Sequence, residues 1–259
     1  MVDHQAPGAD LQATHQAISS CQACALHEGR TNAVPGAGSP HADLMFIGEG
    51  PGFNEDRQGI PFIGAAGQFL NELLASIGLR REDVFITNMV KCRPPNNRDP
   101  FPGEIEACSK YLDAQIEAIR PKVIVPLGRH ALARWFPNES IGKLRAHPRL
   151  FDGITLFPLY HPAAALHNGG LRAAIEDDFA KLGELLRQAP ARTEPQLQPV
   201  TASLLDTAPP MPAVAAPLAA PVQEAATPDE PSAGIEPPSS VEQSAQAGEE
   251  PHDEQLSLF

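Results

Sequence analysis

From Pro190 onward the chain has no lysine, and its single aromatic residue in that stretch is the last one, Phe259. The same stretch holds 13 of the 28 prolines and one basic residue, Arg192, against eleven acidic ones. So few large apolar side chains cannot offset the entropy of ordering a backbone, and residues 190–259 are expected to form a disordered, acidic, Pro/Ala-rich tail. Nowhere is there an uninterrupted apolar run long enough to span a bilayer, and the N-terminus lacks a basic segment leading into an apolar one. A cytoplasmic protein without a membrane partner is therefore expected. Cysteine is scarce: Cys21, Cys24, Cys92 and Cys108 are the full set. In a reducing compartment these four read as ligands or buried thiols rather than disulfides.

The body, residues 1–189, carries 18 basic and 21 acidic residues, so most of the net charge of −13 belongs to the tail. Residues 18–189 are long enough for one sizeable core, preceded by a short extension over 1–17. "DLMFIGEG" (43–50), "VFITNMV" (84–90), "KVIVPLG" (122–128) and "GITLFPLY" (153–160) read as four buried strands. Helical spacing separates them: Phe69 to Ile77, stopped by Gly78; Pro102 to Ile119; a short piece around Ala131–Trp135; and a closing helix through Ile175, Phe179, Leu182 and Leu186. This alternation predicts an α/β fold, a three-layer α/β/α sandwich around a mainly parallel four-stranded sheet. In such folds the ligand site gathers at the carboxyl ends of the strands. Those ends read "GEGPG", "TNMVKC", "LGRH" and "YHPAAAL", so the conspicuous polar motifs all fall on one edge.

Taken singly, each motif has a plain alternative. "GEGPGFNEDRQGIPF" (48–62) matches neither G-x-x-x-x-G-K-[ST] nor G-x-G-x-x-G, and on its own reads as a tight turn with a solvated acidic face. "HPAAAL" (161–166) on its own reads as the start of a helix, with Pro162 in the first turn. Cys21-x2-Cys24 is a compact half-site, but fifteen residues separate Cys92 from Cys108. That spacing leaves zinc and an iron–sulfur cluster both open.

In combination, "GEGPGFNEDRQGIPFIGAAGQFL", "TNMVKCRPPNNRDP" and "YHPAAAL" resemble the three signature regions of the family 4 uracil-DNA glycosylases, over roughly residues 18–188. Glu49, after the first glycine of the first motif, marks that branch. The resemblance implies hydrolysis of the N-glycosidic bond of deoxyuridine in single- or double-stranded DNA, and a structural [4Fe–4S] cluster on Cys21, Cys24, Cys92 and Cys108, with zinc the alternative. It implies that Phe62 stacks on a flipped base beside Gly50, that Asn88 reads the base edge and that His161 donates to O2. Glu49 would position or activate water, and Glu55 would guard the space where thymine carries its methyl group. Lys91, Arg93, Arg98 and His167 become candidates for the DNA backbone, since a nearly neutral body binds DNA when its cations gather on one edge. Ala165, His167 and Ile60 depart from the family pattern, in which leucine and arginine are common at the first two positions and arginine at the third. The terminal "QLSLF" resembles the pentapeptide by which bacterial repair proteins bind the polymerase sliding clamp, making Gln255, Leu256, Leu258 and Phe259 clamp-binding candidates. Two other functions stay in view: a catalytically weak cluster-bearing repair scaffold, and a glycosylase accepting a wider range of deaminated bases.

Overall fold

The computed structural model describes residues 7–188. The acidic tail and its terminal Gln255, Leu256, Leu258 and Phe259 lie outside the described residues. In chain order the elements are α1 (Pro7–Ser19), α2 (Leu26–Gly29), β1 (Ala37–Gly38), β2 (Leu44–Gly48), α3 (Phe53–Gln58) and α4 (Ala65–Ser76), then β3 (Phe85–Asn88), α5 (Pro102–Ile119), β4 (Val123–Pro126) and α6 (Gly128–Ala133). They are followed by α7 (Ile141–Leu144), β5 (Arg149–Phe151), β6 (Ile154–Leu156), α8 (Ala163–His167) and α9 (Leu171–Gln188).

The sheet order is β1-β3-β2-β4-β6-β5. The four inner strands run parallel and correspond to the four apolar runs of the sequence. The two outer strands are short and antiparallel, which the sequence reading did not foresee. The fourth run is a strand only over Ile154–Leu156; beyond it, pairing continues as a single bridge between Leu127 and Leu159.

Alternation along β2 divides the core into two layers, because successive side chains leave opposite faces. Leu44 and Phe46 pack with Leu70, Leu73 and Leu74 of α4 and with Ile175, Phe179 and Leu182 of α9. The rings of Phe46 and Phe179 stack with centroids 5.9 Å apart. Met45 and Ile47 pack on the other side with Leu112 and Ile119 of α5 and with Leu11 of α1. Both faces of β2 are thus dry, as a continuous apolar run requires. Leu11 and Ile18 are buried, so the packed body begins well before residue 18, and most of the stretch set apart as an extension is α1.

Candidate active site

Register delivers the site. Gly48 at the end of β2 pairs with Asn88 at the end of β3, and Ile47 pairs with Pro126 at the end of β4. The pairing continues past the strands: the Met89 and Val90 amides donate to the carbonyls of Gly48 and Glu49 at 2.9 and 3.1 Å. Beyond these ends opens a cleft of about 460 Å³ whose walls include Glu49, Gly50, Glu55, Phe62, Asn88 and His161.

Asn88 is 1% exposed, and neither its Nδ2 nor its Oδ1 has a partner in the structure. A buried amide without partners is costly, by about 1–3 kcal/mol per group, unless a ligand supplies them. Gly48 makes room for it: a Cβ at that position would lie 2.4 Å from Asn88 Oδ1 and 2.7 Å from Phe62 Cζ. Gly50 likewise lets the turn close, since a Cβ there would sit 2.9 Å from Val90 Cγ2.

Phe62 is held in a conformation it would not adopt freely, with φ of 52°. Such left-handed geometry costs a bulky residue roughly 1–2 kcal/mol and persists only where the surroundings enforce it. Arg81 supplies one constraint, donating to the Phe62 carbonyl at 2.8 Å and also to that of Pro61. Glu55 supplies another, its Oε1 accepting from the Ile63 and Gly64 amides at 2.9 and 2.8 Å. Gly67 allows α4 to press against the Phe62 carbonyl, which a Cβ would meet at 1.8 Å. The Phe62 ring ends up stacked against His161, with centroids 5.3 Å apart.

The Ala163 amide donates to His161 Nδ1 at 3.1 Å, which leaves the ring proton on Nε2. Burial pushes His161 down to about 4, so at neutral pH it is an uncharged donor. Glu49 is half-buried, and burial raises its carboxyl above the usual range. His130 and Arg129 oppose that rise, whereas Asp99 adds to it. These three residues were not singled out in the sequence; the available signals were "LGRH" at a strand's carboxyl end for Arg129 and His130, and "NNRDP" for Asp99.

The four cysteines, none of them in a disulfide, line one small recess together with Ile18, Ala23, His27 and Tyr111. Donors already face the sulfurs: Arg30 Nη1 lies 3.2 Å from Cys92 Sγ, and the Ala23 amide lies 3.4 Å from Cys21 Sγ.

Lys91, expected at the DNA backbone, is 1% exposed and cannot reach it. Its ammonium donates at 2.7 Å to each of three acceptors: Thr87 Oγ1, the Asn88 carbonyl and Gln115 Oε1. Gln115 and Thr87 in turn donate to the Pro35 carbonyl at 2.7 and 2.8 Å. Burial pushes Lys91 down to about 7. Lys91 is therefore an internal brace for the end of β3. Arg98 lines the cleft, but its guanidinium is committed to Glu104 at 2.9 and 2.7 Å, so its charge is balanced within the protein. Arg93 is half-buried, donating to Asn97 Oδ1 at 2.7 Å and lying over the ring of exposed Phe53. His167 is exposed at the cleft wall.

A doubly wound sheet whose strand ends hold an unpartnered amide, a stacked phenylalanine and a neutral histidine defines a base-binding class of protein. The family model described as "Uracil DNA glycosylase superfamily" matches residues 35–186, and the chain belongs to that superfamily. Within it, a protein named Type-4 uracil-DNA glycosylase from Sulfurisphaera tokodaii is 51% identical over 185 residues, covering 68% of this chain and 84% of its own. One of the same name from Archaeoglobus fulgidus is 51% identical over 177 residues, covering 65% and 89%. A Type-5 uracil-DNA glycosylase from Thermus thermophilus is 33% identical over 171 residues, covering 54% and 77%. The similarity thus favours the type-4 branch, in agreement with Glu49.

Proposed function

We propose that this chain is a DNA-repair hydrolase that releases uracil from DNA and leaves an abasic site. The observation that carries this reading is the buried, partnerless amide of Asn88 beside Phe62. Its Oδ1 is suited to accept from uracil N3–H while its Nδ2 donates to O4; cytosine offers the opposite pattern at both positions. The base must leave the helix to reach such a pocket, and Phe62 gives it a surface on which to stack. As the bond from C1′ to N1 breaks, its electron pair stays with uracil, and negative charge grows at O2. His161, neutral with its proton on Nε2, meets that charge as a donor without being an acid itself. A water oxygen bonds to C1′ in place of N1, and the water's proton passes to the Glu49 carboxylate. Glu55 holds the Phe62 loop through the Ile63 and Gly64 amides and, as a cleft wall, serves to exclude a thymine methyl. Arg93 and His167 are the remaining candidates for phosphate.

Cys21, Cys24, Cys92 and Cys108 would hold a [4Fe–4S] cluster, whose role here is to tie the segments before α2 and after β3 to α5. Among the described residues, the one group of three or more carboxylate, imidazole or thiol ligand atoms within 4.8 Å of one another is Glu49, Asp99 and His130. Four thiolates suit either a cluster or zinc, and the similarity to type-4 uracil-DNA glycosylases favours the cluster. Among the described residues no helix is long and apolar enough to cross a membrane, and the site of action on this reading is the cytoplasm, at the nucleoid.

The terminal "QLSLF" would add recruitment by the polymerase sliding clamp. With 65 residues between it and Ala189, clamp binding would raise the local concentration of enzyme there. A tail peptide binding the organism's clamp, and losing that binding when Leu258 and Phe259 become alanine, would support it.

The test of the activity is a single-stranded oligonucleotide with one uracil, treated with the purified protein and then with alkali. Cleavage at the uracil position, slowed by about 10²–10³ in His161→Ala and slowed also in Glu49→Gln, is expected. A protein that binds the strand without releasing base would be the scaffold instead, and release of deaminated purines as fast as uracil would favour the broader enzyme.

A further inference from the structure

Three charged or titratable side chains meet behind the Glu49 carboxylate. His130, from α6, places Nε2 3.7 Å from Glu49 Oε2 and 3.2 Å from Asp99 Oδ2. Arg129 donates from Nε to the same His130 nitrogen at 2.9 Å and from Nη2 to Asp99 Oδ2 at 2.6 Å. Glu49 and Asp99 belong to the cleft wall, on the loops after β2 and after β3, whereas His130 and Arg129 come from the helix that follows β4. Three strand ends therefore contribute to one network around Glu49.

The arrangement has two readings, and the distances choose between them. Glu49, Asp99 and His130 are close enough to share a cation. The Arg129 guanidinium, however, already touches both His130 Nε2 and Asp99 Oδ2, the two atoms a metal would need. The network is built from protein charges. His130 Nε2 faces a donor in Arg129 and acceptors in Asp99 and Glu49, so its hydrogen-bond direction follows its protonation. Uncharged, it accepts from Arg129; doubly protonated, it donates toward the carboxylates.

We propose that His130, steadied by Asp99 and Arg129, is a positioning residue that orients the Glu49 carboxylate and keeps it ionised for the attack of water. The inference rests on the role given to Glu49 above. Burial works against an ionised Glu49, and His130 and Arg129 of α6 offset it while Asp99 opposes them. Around the cleft the other charged or titratable groups are Glu55 from α3, Arg98 from the loop before α5, and His161 and His167 near α8. Arg98 is paired with Glu104, and His161 is uncharged at neutral pH, so His130 and Arg129 are the groups that work to lower the Glu49 value.

The signs follow from linkage. The active form is the carboxylate, so the rate is lost as pH falls through the Glu49 value in the folded enzyme. Removing His130 removes a group that lowers this value, and the acidic limb moves to higher pH. Removing the charge of Asp99 lowers the value, and the limb moves the other way. A unit charge at such a separation near solvent displaces it by roughly one to three pH units.

The experiment is single-turnover uracil release across pH 4–9 for the full chain and for His130→Ala, His130→Gln, Asp99→Asn and Glu49→Gln. The expected result is an upward displacement of the acidic limb in both His130 variants and a downward one in Asp99→Asn, with the apparent substrate affinity unchanged. His130→Gln should retain more of the plateau rate than His130→Ala, because it keeps a polar partner for Arg129. A residue important only for folding would lower the plateau without moving the limb. If Glu49→Gln is slow at every pH yet none of the other variants moves the limb, the inference fails and the role of Glu49 stands. If Glu49→Gln keeps the parental rate, both fail.

Discussion

Gly48→Ala probes the site with one methyl group. Gly48 is the last residue of β2 and has an ordinary backbone, so alanine introduces no dihedral strain and slightly favours the strand. All of its effect comes from where the methyl must go: 2.4 Å from Asn88 Oδ1, 2.7 Å from Phe62 Cζ and 2.8 Å from Phe62 Cε2. Real contacts of this kind need about 3.4 Å or more, so the amide and ring must together retreat by the better part of an ångström. Overpacking of this size costs about 1–3 kcal/mol of stability. Displacement of reading groups by about 1 Å costs on the order of 100-fold in rate. Expected, then, is a folded protein whose uracil release falls at least about 100-fold in kcat/KM, measured by single turnover beside a thermal melt. Gly78→Ala is the control. It has no neighbour within 4 Å but a φ of 78°, so it should lose about 1 kcal/mol of stability and no activity. A Gly48→Ala enzyme with the parental kcat/KM would refute the placement of Asn88 and Phe62 as the base-reading pair.

Asn88→Ala should abolish uracil release while leaving the melting temperature nearly unchanged, because its amide has no protein partner to lose. Lys91→Met should do the reverse in stability, costing roughly 2–4 kcal/mol in denaturant unfolding, since Thr87, Asn88 and Gln115 each lose a buried donor. For His161, the folded value of about 4 lies below the ordinary 6.5, so the unfolded chain takes up a proton first. Stability should therefore decline as pH falls from 6.5 toward 4, and His161→Asn should flatten that part of the curve. Iron and sulfide near four each per chain, in anaerobically purified protein, would support the cluster; stoichiometric zinc would exclude it.

What the sequence revealed depended on how local the determining forces are. The four inner strands were legible because both faces of a parallel strand are dry, leaving uninterrupted apolar runs. β1 and β5 were not: Ala37–Gly38 is too short for a pattern, and Arg149–Phe151 is exposed along its whole length. The helix α1 was missed because, among its described side chains, only Leu11 and Ile18 are buried. Glu49, Asn88 and His161 were legible because each sits within a motif at a strand's carboxyl end. Lys91 was misplaced because a lysine between a strand and a Pro-Pro turn reads as exposed; its partner Gln115 lies 24 residues away on α5. Arg81, Asp99 and His130 act through contacts with Phe62 and Glu49 that only the folded sheet creates.

The most direct test of the account is single-turnover base release by the wild-type protein from matched oligonucleotides carrying uracil, thymine or cytosine at one position. An Asn88 amide that accepts from N3 and donates to O4, with Glu55 filling the space beside the thymine methyl, predicts release of uracil alone. Comparable release of cytosine, or none of uracil, would contradict it.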